Sequence, residues 1–426
     1  MSSPRTLTQL LALLACPECR EGDGLSIQPA TPIEGRYWQS MLRERSQPRA
    51  KLVCRVCSRP YPVTADGIPI LWSRALEQTF QSLNAEVNAA APTEHDVKAA
   101  NIQLYDTIAD SYDAEGVHAD EVTRARLVSA FGEAAEDCRG PHVDVGCGAG
   151  NVLQFFSGVI NGPRIGVDVS LAGLRAVRRK GFYAVVADAE RLPFPTESLG
   201  LITASSVLHH LYRPERLMRE AFHALRTGGV FLTDFDPHGR AARWGWLALQ
   251  LYALRRPVYH LFSRGRRRVF HRSSEVQTWN AVAEFHNKPG EGFDIEELQN
   301  SLVEAGFELR RIFPHNCRDA SVHRGPLVRP SARHLLVQSL SGRNAFSRRN
   351  SDTLLTASVK PKCRIEVDHN GRISPFARQV TRKLFAAGAA ALQESEHALL
   401  SAAVSPHVEG HAGQTADSLR LLTSDI

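Results

Sequence analysis

Between His142 and Thr233 the chain alternates short apolar runs with longer amphipathic stretches. Val143 and Val145 flank Asp144, and Ile165-Gly166-Val167 and Ala184-Val185-Val186-Ala187 follow at spacings of about twenty residues. Two more runs, Gly200 to Ser206 and Gly229 to Thr233, complete the series. Runs that are apolar at every position read as strands buried on both faces, and serial strand–helix alternation predicts a parallel sheet in an α/β fold. Further along, Phe307 to Phe313 and Thr353 to Val359 are predicted as sixth and seventh strands. A helix over 294–305 precedes them, with Asp294 as amino cap and Gly306 as stop.

The first strand ends on three alternating glycines, Gly146, Gly148 and Gly150, in the run H-V-D-V-G-C-G-A-G-N-V-L. A strand that breaks into a glycine turn and then a helix makes a nucleotide-sized crevice, because the backbone must turn sharply without Cβ atoms in the way. The next strand ends on Asp168, spaced to accept both hydroxyls of a ribose. The third ends on Asp188, where a carboxylate can accept from the exocyclic amine of adenine.

This arrangement resembles the class I S-adenosylmethionine-dependent methyltransferases, whose motifs read D-x-G-C-G-x-G, a strand-ending acid, and A-D-A followed by L-P-F, here Leu192-Pro193-Phe194. Upstream, Tyr105-Asp106-Thr107-Ile108-Ala109-Asp110-Ser111-Tyr112-Asp113 is similar to the leading helix of the branch that includes quinone-biosynthesis and wobble-uridine methyltransferases. The resemblance implies a Rossmann-like seven-stranded sheet with helices on both faces. It also implies that Gly146, Gly148 and Gly150 cradle the methionine part of the cofactor, with Asp144 near its amino group. Asp168 would hold the ribose, Asp188 and Ala189 the adenine, and Tyr105 or Tyr112 would close over the sulfonium; Ser205, at the end of the fourth strand, is a further candidate contact.

The amino terminus carries Cys16-Pro17-Glu18-Cys19 and Cys54-Arg55-Val56-Cys57. Two C-x-x-C knuckles suit a closed tetrahedral Zn²⁺ site, structural because no position is left for water. Their separation is longer than in the usual ribbon, so a loop or helix is inserted between them. The stretch Leu11 to Leu71 resembles the small zinc-ribbon activator of tRNA, rRNA and release-factor methyltransferases, which implies an activator fused in cis to its enzyme. Leu13-Leu14-Ala15-Cys16 also looks like a lipoprotein signal, but acylation of Cys16 would destroy the knuckle. With no credible export or membrane-spanning segment, and further thiols at Cys138, Cys147, Cys317 and Cys363, a reducing cytoplasm is expected.

Charge changes the picture only locally. The 426 residues carry 51 basic and 45 acidic side chains, a net +6. Nine arginines and no acid lie in 240–274, and six arginines and no acid in 320–351. One segment follows the fifth strand and the other joins the sixth to the seventh, so both should hang over the carboxyl ends of the strands, where ligands bind. A basic rim there attracts an anionic acceptor: a phosphate, a carboxylate or an RNA backbone. The first segment also carries Trp244, Trp246, Leu247, Leu249, Leu251, Tyr252 and Leu254, with Tyr259 and Phe262 beyond, too short a stretch to span a bilayer. It can cap the sheet, cover a lipophilic acceptor, seek a membrane surface or stack on bases.

Organisation follows as a ribbon over 1–73, a linker helix over 74–96, a methyltransferase domain over 97–362, and an extension over 363–426 with one alanine-rich helix, Pro375 to Leu400. Methyl transfer needs alignment and exclusion of water, and a base only where the acceptor loses a proton. His209 and His210 follow the fourth strand and Asp236 the fifth, and these are the candidate catalytic residues, with Asp234 and His238 beside them. The histidine pair also occurs in this branch as a structural feature. Ala204-Ser205-Ser206-Val207 stands where amide- and adenine-methylating enzymes carry N-P-P-Y, which weakens planar nitrogen as the acceptor. The expected activity is methyl transfer to an anionic small-molecule or lipid-like acceptor. The alternatives are a tRNA or rRNA methyltransferase, or a non-catalytic cofactor-binding scaffold.

Overall fold

The computed structural model describes residues 7–20, 24–29, 50–81, 88–115, 120–135, 138–252, 274–316 and 330–362. The expected helix at Pro375 to Leu400, the side chains of Leu254, Tyr259 and Phe262, and Cys317 and Cys363 lie outside the described residues, as does the side chain of Tyr112. All described residues belong to one compact unit, Met1–Lys362.

The chain begins with α1 (Leu7–Leu11) and a three-stranded antiparallel sheet of β1 (Leu25–Pro29), β2 (Ala50–Cys54) and β3 (Pro60–Val63). After β4 (Ile70–Leu71) come α2 (Arg74–Gln81), α3 (Glu94–Glu115) and α4 (Glu121–Ala134). The predicted alternation then appears as β5 (His142–Val145), α5 (Asn151–Phe155), β6 (Arg164–Asp168), α6 (Leu171–Arg179), β7 (Tyr183–Ala187), β8 (Leu199–Ser205), α7 (Pro214–Ala224) and β9 (Leu225–Pro237). The last elements are α8 (Gly239–Ala242), α9 (Ser274–Ala283), α10 (Ile295–Glu304), β10 (Glu308–His315), α11 (Ala332–Leu340) and β11 (Thr353–Val359).

The large sheet runs β10-β11-β9-β8-β5-β6-β7-β4. Strands β4 to β9 pair in parallel, whereas β11 lies antiparallel between β9 and β10. The seven expected strands are all present. The eighth, β4, comes from the cysteine-bearing segment and pairs with the edge strand β7, Ile70 opposite Val186. Two apolar residues between a proline and a tryptophan carry too little pattern to announce a strand.

Alternation along each strand divides the core. Val185 and Ala187 of β7 join a cluster that reaches Leu10, Leu14, Leu52 and Tyr61 of the ribbon, while Ala184 and Val186 pack with Ile70, Trp72, Leu174 and Val177 on the other face. The ribbon and the parallel sheet therefore share one apolar interior. Register also fixes where the insertions leave: Pro237 at the end of β9 faces Thr353, which faces His315 at the end of β10. Both arginine-rich segments consequently emerge at the carboxyl edge of the parallel strands, as their sequence positions require.

Asp294 has the extended backbone of an amino cap to α10, but its side chain makes no capping hydrogen bond and instead pairs with Arg243. That ion pair ties α10 to the segment after β9, which the helix-local reading of Asp294 did not contain.

Candidate active site

A cavity opens at the carboxyl ends of β5 to β8. Its wall includes Tyr105, Asp144, Gly146, Gly148, Asp168, Asp188, Ala189 and Ser205. The glycine turn explains its own composition: Gly146, Gly148 and Gly150 have φ of +63°, +49° and +81°, backbone that side chains rarely adopt. A Cβ on Gly146 would also lie 2.6 Å from Cγ2 of Val207. Gly150 stands apart from the wall; it is the amino cap of α5 and packs on Val177.

Each strand-ending acid is held. Asp168 accepts the Gly148 N–H at 2.8 Å on one oxygen and the Ser170 N–H at 2.9 Å on the other, so it also clamps the glycine turn. Burial outweighs these bonds and pushes its carboxyl up to about 6. Asp144 accepts the Thr203 hydroxyl at 2.6 Å, and Thr203 accepts from His142 Nε2 at 2.8 Å. Burial pushes the Asp144 carboxyl up to about 7. Its Oδ2 is buried without a hydrogen-bond partner, as is Oγ of Ser205. Buried polar atoms are normally satisfied, so two orphans in one cavity wall mark a place built for a polar ligand.

Asp188 brings in a residue the motif reading missed. Lys98 Nζ lies 2.9 Å from an Asp188 oxygen and 2.9 Å from Glu190, and Glu94 and Arg216 extend the network. Lys98 precedes the tyrosine motif on α3, and nothing local in the sequence links it to a strand 90 residues away. Although burial opposes it, the charges of Asp188 and Glu190 hold the lysine above its ordinary range.

The histidines have unlike surroundings. His210 lines the cavity, and its Nδ1 lies 2.8 Å from the carbonyl of Ala283. A carbonyl only accepts, so Nδ1 carries the proton and Nε2 presents a lone pair, to which the Tyr105 hydroxyl donates at 2.9 Å. Burial and the neighbouring His209 hold the His210 ring down at about 4, leaving it neutral. His209 sits behind it, Nδ1 2.8 Å from Asp236 and Nε2 3.5 Å from Glu284. Against the effect of burial, the Asp236 hydrogen bond raises the His209 ring, and both flanking carboxylates favour its charged form. Neither His209 nor Asp236 lines the cavity. Glu284, at the end of α9, had no sequence signal.

At the ribbon, the four cysteine sulfurs all lie within 4.8 Å of one another. Cys16 and Cys57 are 3.6 Å apart and Cys19 and Cys54 3.5 Å, so the pairs cross between the knuckles. Each knuckle closes through a left-handed residue, Arg20 at φ +62° and Ser58 at φ +57°, whose N–H donates to the carbonyl of Cys16 or Cys54. Tyr61 places its hydroxyl 3.0 Å from Cys16 Sγ. Burial raises the Cys54 thiol, but backbone N–H groups of Cys57 and Val56 outweigh it and bring it to about 7.

Residues 143–233, which hold the glycine turn and both strand-ending acids, match the methyltransferase domain family. The chain carries a class I S-adenosylmethionine-dependent methyltransferase domain.

Among relatives, an uncharacterized protein of Mycobacterium tuberculosis is 28% identical over 215 residues, 48% of this chain and 68% of that one. The phthiotriol/phenolphthiotriol dimycocerosates methyltransferase 1 of Mycobacterium ulcerans is 30% identical over 108 residues, 24% of this chain and 40% of that one. A solved complex of a Haloferax volcanii methyltransferase activator and a methyltransferase covers 60% of this chain and 97% of its own, at 15% identity and a TM-score of 0.38. Among the described residues of the methyltransferase, no helix is long and apolar enough to cross a membrane.

Proposed function

We propose that the enzyme methylates a hydroxyl oxygen of a lipid-like acceptor. The observation that carries this is the fixed tautomer of His210. Its Nδ1–H is committed to Ala283 and its Nε2 lone pair faces Tyr105 in the cavity wall, so the acceptor proton has a defined destination. The residues fit the cofactor, whose role when bound is to supply an electrophilic methyl group. Asp144 Oδ2, the orphan carboxylate oxygen, suits its ammonium group; Asp168 suits the ribose diol, and Asp188 with Ala189 the adenine. Tyr105 accepts the acceptor's hydroxyl proton while passing its own to His210 Nε2. The proton would then rest on His210 Nε2, the ring nitrogen not committed to the Ala283 carbonyl. His209, clamped by Asp236 and Glu284, orients the pair and is a positioning residue.

The methyltransferases of phthiotriol and phenolphthiotriol dimycocerosates among the relatives support a lipid-like acceptor. The chain spans 40% and 49% of their lengths. The four cysteines would hold one structural Zn²⁺: tetrahedral sites have Zn–S of about 2.3 Å, hence sulfurs about 3.8 Å apart, close to the spacings here. Four thiolate ligands suit a reducing compartment, and the ribbon serves as an activator in cis. The test is transfer of labelled methyl from S-adenosylmethionine into fractionated cell extract. Label should enter a hydroxyl-bearing lipid fraction, and His210→Ala should lower kcat by about 10²-fold or more. Label in RNA or protein, or a full rate in His210→Ala, refutes the assignment.

A further inference from the structure

The two arginine-rich insertions meet on the protein surface. Gln338 of α11 donates to the Ala241 carbonyl at 2.9 Å, Gly245 donates to Ser341 Oγ at 2.8 Å, and Arg343 bonds the Arg240 carbonyl. Arg333 lies over the Trp244 ring at 5.7 Å. The helical residues 246–252 begin at this junction with their apolarity turned outward. Ala248 is buried, whereas Trp246 is 73% exposed, Leu247 46%, Leu249 39% and Leu251 45%. Leu336 and Phe346 of the second insertion are exposed by more than half. Exposed single apolar residues are ordinary, but a helix whose outward face carries a Trp and three Leu around Gln250 is built to meet an apolar phase.

The surrounding charge says which kind. Arg240, Arg243, Arg333 and Arg349 are exposed beside these residues. Burial, and then the charges of Arg240 and Arg243, hold the Arg343 guanidinium below its ordinary value, a sign that like charges crowd here. Asp294, the acid paired with Arg243, comes from outside the insertions, whose sequences hold no acid and whose described residues include six arginines.

We propose that this face docks on an anionic phospholipid bilayer, with Trp246, Leu247, Leu249 and Leu251 entering the interface and the arginines meeting the headgroups. Apolar side chains supply hydrophobic burial, and basic side chains around them supply attraction to anionic lipid; neither a neutral bilayer nor a purely polar polyanion satisfies both. The docked edge is also the edge at which β9, β10 and β11 place both insertions above the strand ends. A lipid-like acceptor would then be reached from the bilayer itself. The proposal deepens that reading of the substrate, but vesicle binding requires no methyl transfer, so either idea can fail alone.

The test is sedimentation of the 426-residue chain with phosphatidylcholine vesicles, with and without phosphatidylglycerol. Binding should require the anionic lipid and weaken as salt shortens the Debye length from about 10 Å at 0.1 M to 3 Å at 1 M. Trp246→Ser with Leu249→Ser should weaken it by at least about tenfold. Arg333→Glu with Arg349→Glu should weaken it by about fivefold or more per arginine. Both double variants should bind S-adenosylmethionine as the parent does, which shows that they are folded. Equal binding to neutral and anionic vesicles, or undiminished binding by the serine variant, overturns the proposal. So does a dimer that covers Trp246, or binding of bulk RNA, but not vesicles, that the same variants lose.

Discussion

Replacing Asp168 by Asn separates the two duties of that carboxylate. In the structure both its oxygens accept backbone N–H groups, from Gly148 and Ser170. An amide offers one acceptor and one donor, so one N–H is left facing an NH₂, a cost of about 1–3 kcal/mol. In a chain of this size that lowers Tm by several degrees without unfolding the protein. Cofactor affinity should suffer more. Losing hydrogen bonds from the ribose to a charged acceptor costs about 1.5–3 kcal/mol, or about 10- to 150-fold in Kd. The pH dependence gives a second reading. Burial holds the Asp168 carboxyl at about 6, so at pH 5 only about a tenth is ionised and parental affinity should fall about tenfold from its pH 8 value through this group alone. Asp144, near 7, adds a limb that the variant retains. Stability of the free protein runs the other way. The folded state keeps the Asp168 proton up to about pH 6 and the unfolded state loses it near 4, so this contribution is lost as pH rises through that window. Titration calorimetry at pH 5 to 8 on both proteins reads the affinity. Unchanged affinity in Asp168→Asn, with the same pH profile as the parent, would refute the ribose assignment.

Elemental analysis of carefully purified protein should find about one zinc per chain, and less than about half an equivalent counts against the site. Cys54→Ser should release the metal, and because Arg191 donates to the carbonyls of Pro17 and Glu18, three residues from Asp188, it should also weaken cofactor binding. If cofactor affinity survives full loss of zinc, the knuckle does not brace the crevice. Gly146→Ala should reduce S-adenosylmethionine affinity by 10²-fold or more, since its φ is +63° and the new Cβ would overlap Val207. Val207→Ala in the same chain should recover part of the lost stability; parental affinity in the single variant would sink the steric account.

The parallel strands were legible because they are buried on both faces. That makes most positions apolar, and the five predicted parallel runs lie on β5 to β9, the first three leading into the glycine turn, Asp168 and Asp188. Side-chain placement was legible only where spacing along the chain determines it. Asp144, Asp168 and Asp188 follow from strand ends, and the four cysteines from knuckle spacing. Lys98 and Glu284 were not, since each acts through a partner dozens of residues away on a helix with no pattern of its own. The unlike histidines were out of reach for the same reason. His209 and His210 are adjacent in sequence, yet one meets carboxylates that favour its charged form and the other a carbonyl and a phenol in a site that keeps it neutral.

The short strand β4 connects these observations. The boundary expected near residue 73 would separate the cysteines from the crevice, but β4 lies just before it and pairs with β7, whose last residue adjoins Asp188. Two residues later Ser73 caps the first turn of α2, and Leu76 of that helix stands in the cavity wall. From the other side, Arg191 holds the carbonyls of the first knuckle and Arg20, the residue that closes it, pairs with Glu220 of α7. Glu220 in turn accepts the Leu192 N–H, in the L-P-F run after Asp188. The Asp188 end of the crevice is thus bounded on both sides by contacts that lead back to the knuckle. Apolar burial makes the same connection, since Leu10, Leu14 and Tyr61 share a cluster with Val185, Leu192 and Phe194. A ribbon joined by backbone pairing, an ion pair and a common core braces the elements that carry the Asp188 end of the crevice, and metal held by the four cysteines would act on that end.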